Sequence, residues 1–587
     1  MNNKPVVTLG AGPAGLAAAY ELIKQGVKPV VLEKADKVGG IARTETYKNY
    51  YFDIGGHRFF TKIGRVNKLW HEMLGEDFQK VRRMSRFYYE GRLFNYPLNI
   101  SNTLFNLGIL ESLLIMLSYF NAQFRPYREE KTFEQWVSNR FGKRLYKTFF
   151  QTYTEKVWGI PCNKIQADWA AQRIKGLSLI AAVSNALFGI KKGKSLIDEF
   201  YYPIKGPGMM WQRFQETIED EGGKVRLNSE AIGLKHQNRR IISVDYLDGD
   251  KRTEIPVEHL ISSIPITKLL ALLDPQAPDE VLSAAQKLSY RAFIIVVLII
   301  DKQDLFDDQW IYIHSTDVKV GRIQNFKNWS AAMVPDPKKT SVGMEYFCTE
   351  GDGIWTMPDN ELIDLASREL SELGLSDIDG IIDSFIVRQP GAYPIYDPNY
   401  QDHLEVIKSF ITSIDNLQTI GRNGMHRYNN MDQSMLVGML AAQNYLGANH
   451  DLWEVNEEKE YLEEKKIKVG PTVSENDLIR AFARMDKLAM ATAVGSVSGL
   501  IFFLSTSWLL IKGGDVAGPN LELLTQYFVA YSLTVSGAFI SFGYAFIWGF
   551  LFGWLFAYLR NLLLAFYIYR VKKKTELLTL LDFFRNL

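Results

Sequence analysis

Apolar runs separated by a glycine turn open the chain. One run enters Gly10-x-Gly12-x-x-Gly15, a stretch with helical spacing follows, and a second apolar run over 29–32 ends at Glu33. This order predicts a strand–turn–helix–strand unit that binds a dinucleotide. The first glycine allows the tight turn, the second lets the backbone approach a pyrophosphate, and the third lets helix and strand pack closely. Glu33 stands where an acidic residue accepts a ribose hydroxyl.

The other end of the chain contains two long stretches without a charged residue, 488–511 and 523–559. At about 24 residues the first is long enough to cross a bilayer, whereas the second, at about 37, exceeds one simple span and is either one long tilted helix or a span with an interfacial piece. Together they predict two spans at about 488–511 and 526–558. Basic residues flank the pair, whereas the loop between has one lysine, Lys512. The positive-inside rule therefore predicts that both flanks lie in the cytoplasm. The expected location is the bacterial inner (cytoplasmic) membrane, with the catalytic domain on its cytoplasmic side.

Each predicted span contains two glycines four residues apart, Gly495/Gly499 and Gly549/Gly553. Such pairs let helices approach closely, which indicates packing within a hairpin or a homo-oligomer, although scattered glycines would give the same pattern. A third apolar stretch, 104–120, includes one acidic residue and is short for a span. It is either a buried helix or a helix that lies in the membrane interface.

Composition narrows the classes of function. The chain has 587 residues, enough for several domains, and its net charge of +1 gives no reason to expect a nucleic-acid partner. Two cysteines, Cys162 and Cys348, exclude a disulfide framework and fit a reducing compartment. We predict neither a metal site nor an N-terminal signal peptide.

The segment Gly39-Gly40-x-x-Arg43 follows the predicted dinucleotide unit. Together they resemble the FAD-binding amine oxidases and their relatives, in which a similar segment closes over the pyrophosphate of FAD. The resemblance implies FAD as the cofactor, with NAD as the lesser option.

Five further motifs, in the same order along the chain, are similar to motifs of the UDP-galactopyranose mutase family. With the dinucleotide unit they cover the chain from about residue 5 to residue 445. The motifs are Gly55-Gly56-His57-Arg58-Phe59-Phe60-Thr61, Tyr153-Thr154-Glu155-Lys156-Val157-Trp158-Gly159, Gly321-Arg322-Ile323, Ala392-Tyr393-Pro394-Ile395 and the loop 421–431. Arg173 stands about where that family has an arginine downstream of the second motif.

The resemblance implies a role for each of these residues. His57, Arg173 and Arg322 are expected to be catalytic, because the arginines would hold the substrate phosphates and the histidine would hydrogen-bond the flavin. The expected substrate-binding residues are Tyr153, Trp158, Tyr393 and Tyr428. The expected FAD-binding residues are Gly10, Gly12, Gly15, Glu33, Gly39, Gly40, Arg43, Gly55, Gly56, Arg422, Asn430 and Met431.

In the mutase family the reduced flavin attacks the anomeric carbon of a sugar through N5, and pyranose becomes furanose without net redox change. The resemblance therefore implies that reduced FAD is the active form. The implied reaction interconverts galactopyranose and galactofuranose on a phosphate-linked donor, for cell-surface polysaccharide synthesis. A soluble UDP-sugar requires no membrane, so the predicted spans suggest polyprenyl phosphate as a carrier. The expected partners are this sugar, membrane lipid and further copies of the chain through the spans.

The chain departs from the family pattern at four positions. Gly56 replaces a proline, Phe60 a histidine, His426 a tyrosine and Asn430 an aspartate. These departures affect the expected substrate more than the expected chemistry.

Two other functions stay open. One is an FAD-dependent oxidoreductase or desaturase of the amine oxidase superfamily that acts on a lipid or isoprenoid. The other is an inactive flavoprotein fused to a transport or scaffolding hairpin, which would bind FAD without turnover.

The predicted fold class is α/β. It comprises a Rossmann-like FAD-binding domain with an inserted helical and antiparallel-sheet substrate domain, followed by a transmembrane helical hairpin. The predicted segments are 1–92, 201–290 and 401–449 for the FAD-binding domain, 93–200 for the helical part, 291–400 for the antiparallel sheet, 450–487 for a linker and 488–587 for the transmembrane domain.

Overall fold

The computed structural model describes residues 4–96, 100–167, 195–196, 199–455, 464–465, 485–512 and 529–585. The chain forms two compact units, Met1–Ile467 and Lys468–Leu587. The first contains the sheets and most of the helices, and the second contains two long apolar helices. The predicted α/β class is therefore confirmed, whereas the predicted domain boundaries stay a prediction.

A five-stranded parallel sheet carries the dinucleotide unit. In spatial order its strands are Lys224–Arg226, Val30–Leu32, Val6–Leu9, His259–Ser262 and Leu417–Thr419. The two strands that come first in the chain are buried along their whole length, as expected for a parallel sheet covered on both faces. The helix that joins them has proline at its first position, which suits a helix start.

The second large sheet is mixed and has seven strands. In spatial order they are Ile381–Pro394, Tyr290–Ile300, Thr340–Cys348, Arg322–Asn325, Trp310–Ile313, Ser85–Tyr89 and Arg92–Asn95. All neighbouring strands are antiparallel except Trp310–Ile313 and Ser85–Tyr89, which run parallel.

Smaller sheets and the helices complete the first unit. A four-stranded sheet contains Lys251–Pro256, Arg240–Asp248, Ala231–Gln237 and Leu273–Asp274. Two-stranded sheets pair Thr44–Tyr47 with Tyr50–Asp53, Phe78–Arg82 with Glu199–Pro203, and Ser195–Leu196 with Glu464–Lys465. Within the described residues of this unit the α-helices are Pro13–Lys24, Gly64–Leu74, Ile100–Leu107, Ile109–Phe124, Phe133–Phe141, Lys143–Tyr146, Thr152–Trp158, Gly208–Asp220, Ile266–Ala271, Asp279–Lys287, Phe326–Trp329, Asp359–Glu372, Tyr400–Thr412, Gly421–Gly424 and Met431–Tyr445.

The second unit contains helices Lys487–Lys512 and Val535–Arg585. Lys487–Lys512 and the part Val535–Leu562 are long and apolar enough to cross a membrane by length and composition. Thr534 caps the second helix, since its hydroxyl accepts a hydrogen bond from the Gly537 N–H at 3.1 Å. The start predicted for the second span, at about 526, lies outside the described residues.

The glycine pairs of the two apolar helices face the partner helix of the same chain. A Cβ on Gly495 would lie 2.9 Å from the Phe546 carbonyl oxygen, and one on Gly549 would lie 3.0 Å from the Gly495 Cα. The structure therefore uses these glycines for packing within the hairpin. The expected homo-oligomer stays a prediction, and these glycines no longer support it.

The helix Pro13–Lys24 is packed against backbone on two sides. A Cβ on Gly15 would lie 1.9 Å from the Gly10 carbonyl oxygen, and one on Gly438, in helix Met431–Tyr445, would lie 2.1 Å from the Ala14 carbonyl oxygen. Neither contact has room for a side chain, because backbone atoms cannot rotate away as a side chain can.

We expect the substitution Gly438→Ala to lower stability by about 1–3 kcal/mol, because the added methyl group must push two helices apart. The thermal unfolding midpoint of the FAD-loaded full-length protein measures this effect. Gly353→Ala is the matched control, since a Cβ there meets nothing within 4 Å. An unchanged midpoint for Gly438→Ala would show that the two helices are not in backbone contact.

Candidate active site

A single cavity of about 870 Å³ joins the glycine turn to the seven-stranded sheet. The lining residues that the sequence analysis singled out are Gly10, Gly12, Glu33, Gly40, Arg43, Gly55, Gly56, His57, Arg322, Tyr393, Arg422, Tyr428, Asn430 and Met431. The volume is within the range of small-molecule and cofactor sites. The structure therefore brings together residues from six separate motifs.

The glycine turn leaves its backbone open to the cavity. Gly10 has a φ of +90°, which favours glycine, and a Cβ there would lie 2.4 Å from Ser263 Oγ. The nearest atom to a Cβ on Gly12 would be the Gly40 Cα, at 3.9 Å. Two glycine backbones thus face each other across a cradle that side chains would narrow. A pyrophosphate fits such a cradle at a helix N-terminus.

Glu33 follows the strand Val30–Leu32 and is held at the edge of the parallel sheet. Its Oε2 accepts a hydrogen bond from the Ala11 N–H at 2.7 Å, and its Oε1 accepts one from the Ala35 N–H at 3.0 Å. A carboxylate has about four acceptor sites, so lone pairs remain for the hydroxyls of a ribose. The geometry fits the predicted role.

Arg43 is ion-paired, although the sequence analysis treated it only as a ligand of FAD. Its Nε donates to Glu45 Oε1 at 2.6 Å, and its Nη1 donates to the Gly40 carbonyl and to Gln389 Oε1, both at 2.9 Å. These bonds hold the Gly39–Gly40 turn in place, where both glycines have positive φ. Glu45 also pairs with Lys37 at 2.6 Å, so one carboxylate is shared by two cations and a net positive charge remains at this turn.

His57 lies close to Arg322 and within electrostatic range of Arg422. Burial lowers the pKa of His57 to about 3, and the positive charges of Arg422 and Arg322 lower it further in the same direction. The imidazole is therefore neutral at physiological pH. Its Nδ1 is buried and has no hydrogen-bond partner within the described part of the chain. An orphaned buried nitrogen beside a cavity fits a polar ligand in that cavity.

Arg322 stands opposite Glu345 on neighbouring strands of the seven-stranded sheet. Its Nε and Nη2 donate to Glu345 Oε2 at 3.0 Å and 2.6 Å, and Gln324 donates to the other oxygen of Glu345 at 2.5 Å. Glu345 is fully buried. The guanidinium is thus fixed by a buried ion pair, while its Nη1 makes no hydrogen bond to the described residues and remains for a ligand.

Arg422 is held by backbone and aromatic groups. Its Nε donates to the Asn429 carbonyl at 3.0 Å and its Nη1 to the Ala392 carbonyl at 3.2 Å. The guanidinium carbon lies 4.5 Å from the centre of the Tyr428 ring. No carboxylate among the residues described forms an ion pair with it. Its positive charge is therefore available to whatever the cavity binds.

Two predicted aromatic residues line the cavity, and two lie behind its wall. Tyr393 and Tyr428 line it and stack with ring centres 5.7 Å apart. Trp158 packs behind both, at 6.3 Å and 6.2 Å. Tyr153 packs behind Tyr312, at 5.1 Å. In this structure Trp158 and Tyr153 support the lining residues rather than forming the surface.

Several residues that line the cavity were not predicted from the sequence. Trp310 and Tyr312, on one strand of the seven-stranded sheet, line the cavity together with Trp329. The alternation of residues along a strand could have indicated that Trp310 and Tyr312 share a face. Arg58, which lies 5.7 Å from the Trp310 ring, lines the cavity as well. The predicted Arg173 lies outside the described residues.

Asp53 anchors the loop that carries Gly55, Gly56 and His57. It is fully buried and accepts hydrogen bonds from the hydroxyls of Tyr202 and Thr44. Burial raises the pKa of Asp53 from 3.8 to about 8, although both hydroxyls act in the opposite direction. The loop is thus held by a carboxyl group that is neutral at pH 7.

Comparisons with known proteins agree with this geometry. Residues 13–403 match the family model described as flavin-containing amine oxidoreductase. A probable UDP-galactopyranose mutase of Klebsiella pneumoniae is 27% identical over 180 residues, which cover 29% of this chain and 44% of that protein. A lycopene-forming phytoene desaturase of Pantoea ananas is 25% identical over 268 residues, which cover 42% of this chain and 53% of that protein.

Among solved structures, the crystal structure of a reduced UDP-galactopyranose mutase is similar in fold. It superimposes with a TM-score of 0.69 at 21% identity and covers 78% of this chain and 100% of that chain. The sequence alignments span about half or less of the two curated relatives. A flavin-containing family and a dinucleotide cradle with a ribose acceptor together identify the cofactor as FAD.

We expect the substitution Asp53→Asn to stabilise the protein increasingly as the pH rises. Between pH 4 and pH 8 the folded wild type keeps a proton on Asp53 that the unfolded chain releases, so wild-type stability falls with pH. The gap between variant and wild type should grow by up to about 1.4 kcal/mol per pH unit.

Thermal unfolding midpoints of the full-length protein at pH 5.5, 6.5 and 7.5 measure this gap. The control is Asp250→Asn, at an exposed turn position. Parallel profiles for Asp53→Asn and the wild type would show that Asp53 is ionised in the folded state.

Proposed function

The chain belongs to the flavin-containing amine oxidoreductase family, and within that family we propose that it is a pyranose–furanose mutase. The proposed substrate is a phosphate-linked hexose, with galactose as the first candidate. One observation carries the proposal: the positive charges of Arg322 and Arg422 act on a neutral His57, and Arg422 lies against the stacked pair Tyr393 and Tyr428. A protonated amine would be repelled at this end of the cavity, whereas a phosphate would be attracted.

The two arginines would bind the phosphate in different ways. Arg322 is fixed by Glu345 and offers Nη1, so it provides a directed donor. Arg422 has no carboxylate partner among the described residues, so it provides net positive charge. Planar guanidinium groups bind phosphate oxygens well. Both effects stabilise a phosphate most when it leaves as an anion, which is where catalysis needs them.

The remaining residues would orient the sugar. The rings of Tyr393 and Tyr428 exclude water on one side, and aromatic hydroxyls can hydrogen-bond the sugar hydroxyls. His57 is neutral, so one ring nitrogen donates a hydrogen bond and the other accepts one. Bound reduced FAD would supply the nucleophile for the exchange, and the protein supplies position and charge.

We propose further that the donor is lipid-linked and that the enzyme is anchored in the cytoplasmic membrane. The two apolar helices support anchoring, and the basic residues on both flanks support a cytoplasmic first unit. A polyprenyl-phosphate sugar exists only at a membrane, so an anchored enzyme suits it better than a soluble UDP-sugar.

A second candidate function is an oxidoreductase or desaturase of the same family that acts on an isoprenoid. The similarity to a phytoene desaturase favours it. It differs from the mutase in one observable property: its substrate changes the redox state of FAD, whereas the mutase leaves reduced FAD unchanged overall.

The substrate test offers the dithionite-reduced, full-length enzyme either UDP-galactopyranose or polyprenyl-phosphate galactopyranose, with oxidised enzyme as the control. We expect a furanose product, identified by NMR of the released sugar, from the lipid-linked donor at the higher kcat/KM. A furanose product from UDP-galactose alone would contradict the lipid-linked donor but would still agree with a mutase reaction. Failure with both donors, together with anaerobic bleaching of oxidised FAD by an isoprenoid, would favour the second candidate.

We expect the substitution Arg322→Lys to lower kcat/KM by about 10²–10³, as the loss of one directed donor to a developing anion does. Lysine keeps a positive charge beside Glu345, so that the buried carboxylate is not left unpaired. The matched control is Arg86→Lys, because Arg86 pairs with the fully buried Asp308 on the same sheet without lining the cavity. Equal losses of activity in the two variants would assign Arg322 a structural role.

A further inference from the structure

Helix Ile109–Phe124 has one buried face and one exposed apolar face. The buried face, which carries Ser112, Ile115 and Tyr119, packs against the rest of the first unit. The other face forms what we call the apolar stripe, whose side chains are 49–81% exposed. The stripe consists of Leu110, Leu113, Leu117, Phe120 and Phe124.

The spacing of the stripe is that of one helix face. Its members follow one another by three or four residues, and at 100° per residue they fall within about 80° of the helix circumference. A helix at the surface of a water-soluble protein has polar residues on this face. A contiguous exposed apolar patch indicates instead a surface that binds something apolar.

The orientation of the stripe is fixed by contacts on the other sides of the helix. Glu111 forms an ion pair of 2.6 Å with Arg144. A Cβ on Gly142 would lie 2.7 Å from the Tyr119 nitrogen, so backbone meets backbone there. Gln123 donates to the Asn139 carbonyl at 2.8 Å. The helix cannot turn the stripe inward without breaking these contacts.

The chain segment that contains the stripe and the two helices after it is basic. Residues 109–147 contain seven lysines and arginines against four glutamates. Three of the glutamates are paired: Glu111 with Arg144, Glu129 with Lys131 and Glu130 with Arg140. The other four cations, Arg125, Arg128, Lys143 and Lys147, are all exposed, and with Glu134 included the segment has a net charge of +3. An apolar helix face flanked by cations matches an anionic bilayer surface.

We propose that the apolar stripe inserts into the headgroup–acyl boundary of an anionic bilayer, with helix Ile109–Phe124 parallel to the membrane plane. The occupant is a bilayer rather than another protein, because the same chain has two helices that can cross a membrane and the excess charge suits anionic lipid. The proposal concerns membrane contact only, and it holds whether or not the proposed reaction is correct.

The experiment places a nitroxide spin label on the full-length protein in nanodiscs with and without anionic lipid. Leu113→Cys and Leu117→Cys report on the stripe, and Asn121→Cys reports on its edge. Gln212→Cys, exposed on helix Gly208–Asp220, is the control. The two native cysteines are buried, and wild-type protein exposed to the label measures their background.

We expect oxygen, which partitions into lipid, to relax the labels at 113 and 117 more than a water-soluble nickel complex does. The ratio of relaxation by oxygen to relaxation by nickel should be intermediate for the label at 121 and lowest for the label at 212. Without anionic lipid, the ratios at 113 and 117 should approach the ratio at 212. Equal ratios at 113, 117 and 212 would overturn the proposal. Protection of 113 and 117 from both reagents, with spin–spin broadening that grows with protein concentration, would also overturn it, because a second copy would then cover the stripe.

Discussion

The contact between backbones on both sides of helix Pro13–Lys24 is the constraint on which the cavity depends. Gly15 meets the Gly10 carbonyl on the strand side, and Gly438 meets the Ala14 carbonyl on the other. With no side chain between them, the strand, the helix and the helix Met431–Tyr445 have fixed separations. The last of these helices begins at the cavity, so the same contact sets the distance between the cradle for FAD and the loop that carries Arg422.

Charge compensation differs among three arginines of the first unit. Arg86 is neutralised by a buried carboxylate and serves the sheet, whereas Arg422 has no such partner among the described residues. Arg322 combines both properties, since Glu345 fixes it without occupying Nη1. The neutral His57, on which the positive charges of Arg322 and Arg422 act, cannot act as an acid at pH 7. A phosphate leaves as a stable anion without a proton, so a site of this kind suits phosphate better than a leaving group that must be protonated.

The sequence predicted those features of the fold that depend on residues close together in the chain. The strand–turn–helix–strand unit depends on glycines within six residues of one another, and it was predicted in full. The pairing of Arg322 with Glu345 depends on the register of two strands, which no local pattern reveals. Tyr153 and Trp158 lie behind the cavity wall because their helix presents them to other aromatic rings. The second apolar helix starts at Val535 because Thr534 caps it, whereas hydropathy shows only where charges are missing.

The stretch 104–120 is another feature that the sequence alone could not assign. Its composition left a buried helix and an interfacial helix open, because both require apolar residues. The structure shows that helix Ile109–Phe124 has both properties on different faces, since burial of Ile115 and Tyr119 leaves Leu113 and Leu117 exposed. A helix with one face packed against its own unit and an apolar face left exposed is what binding at an interface requires, so the two alternatives that composition left open do not exclude each other.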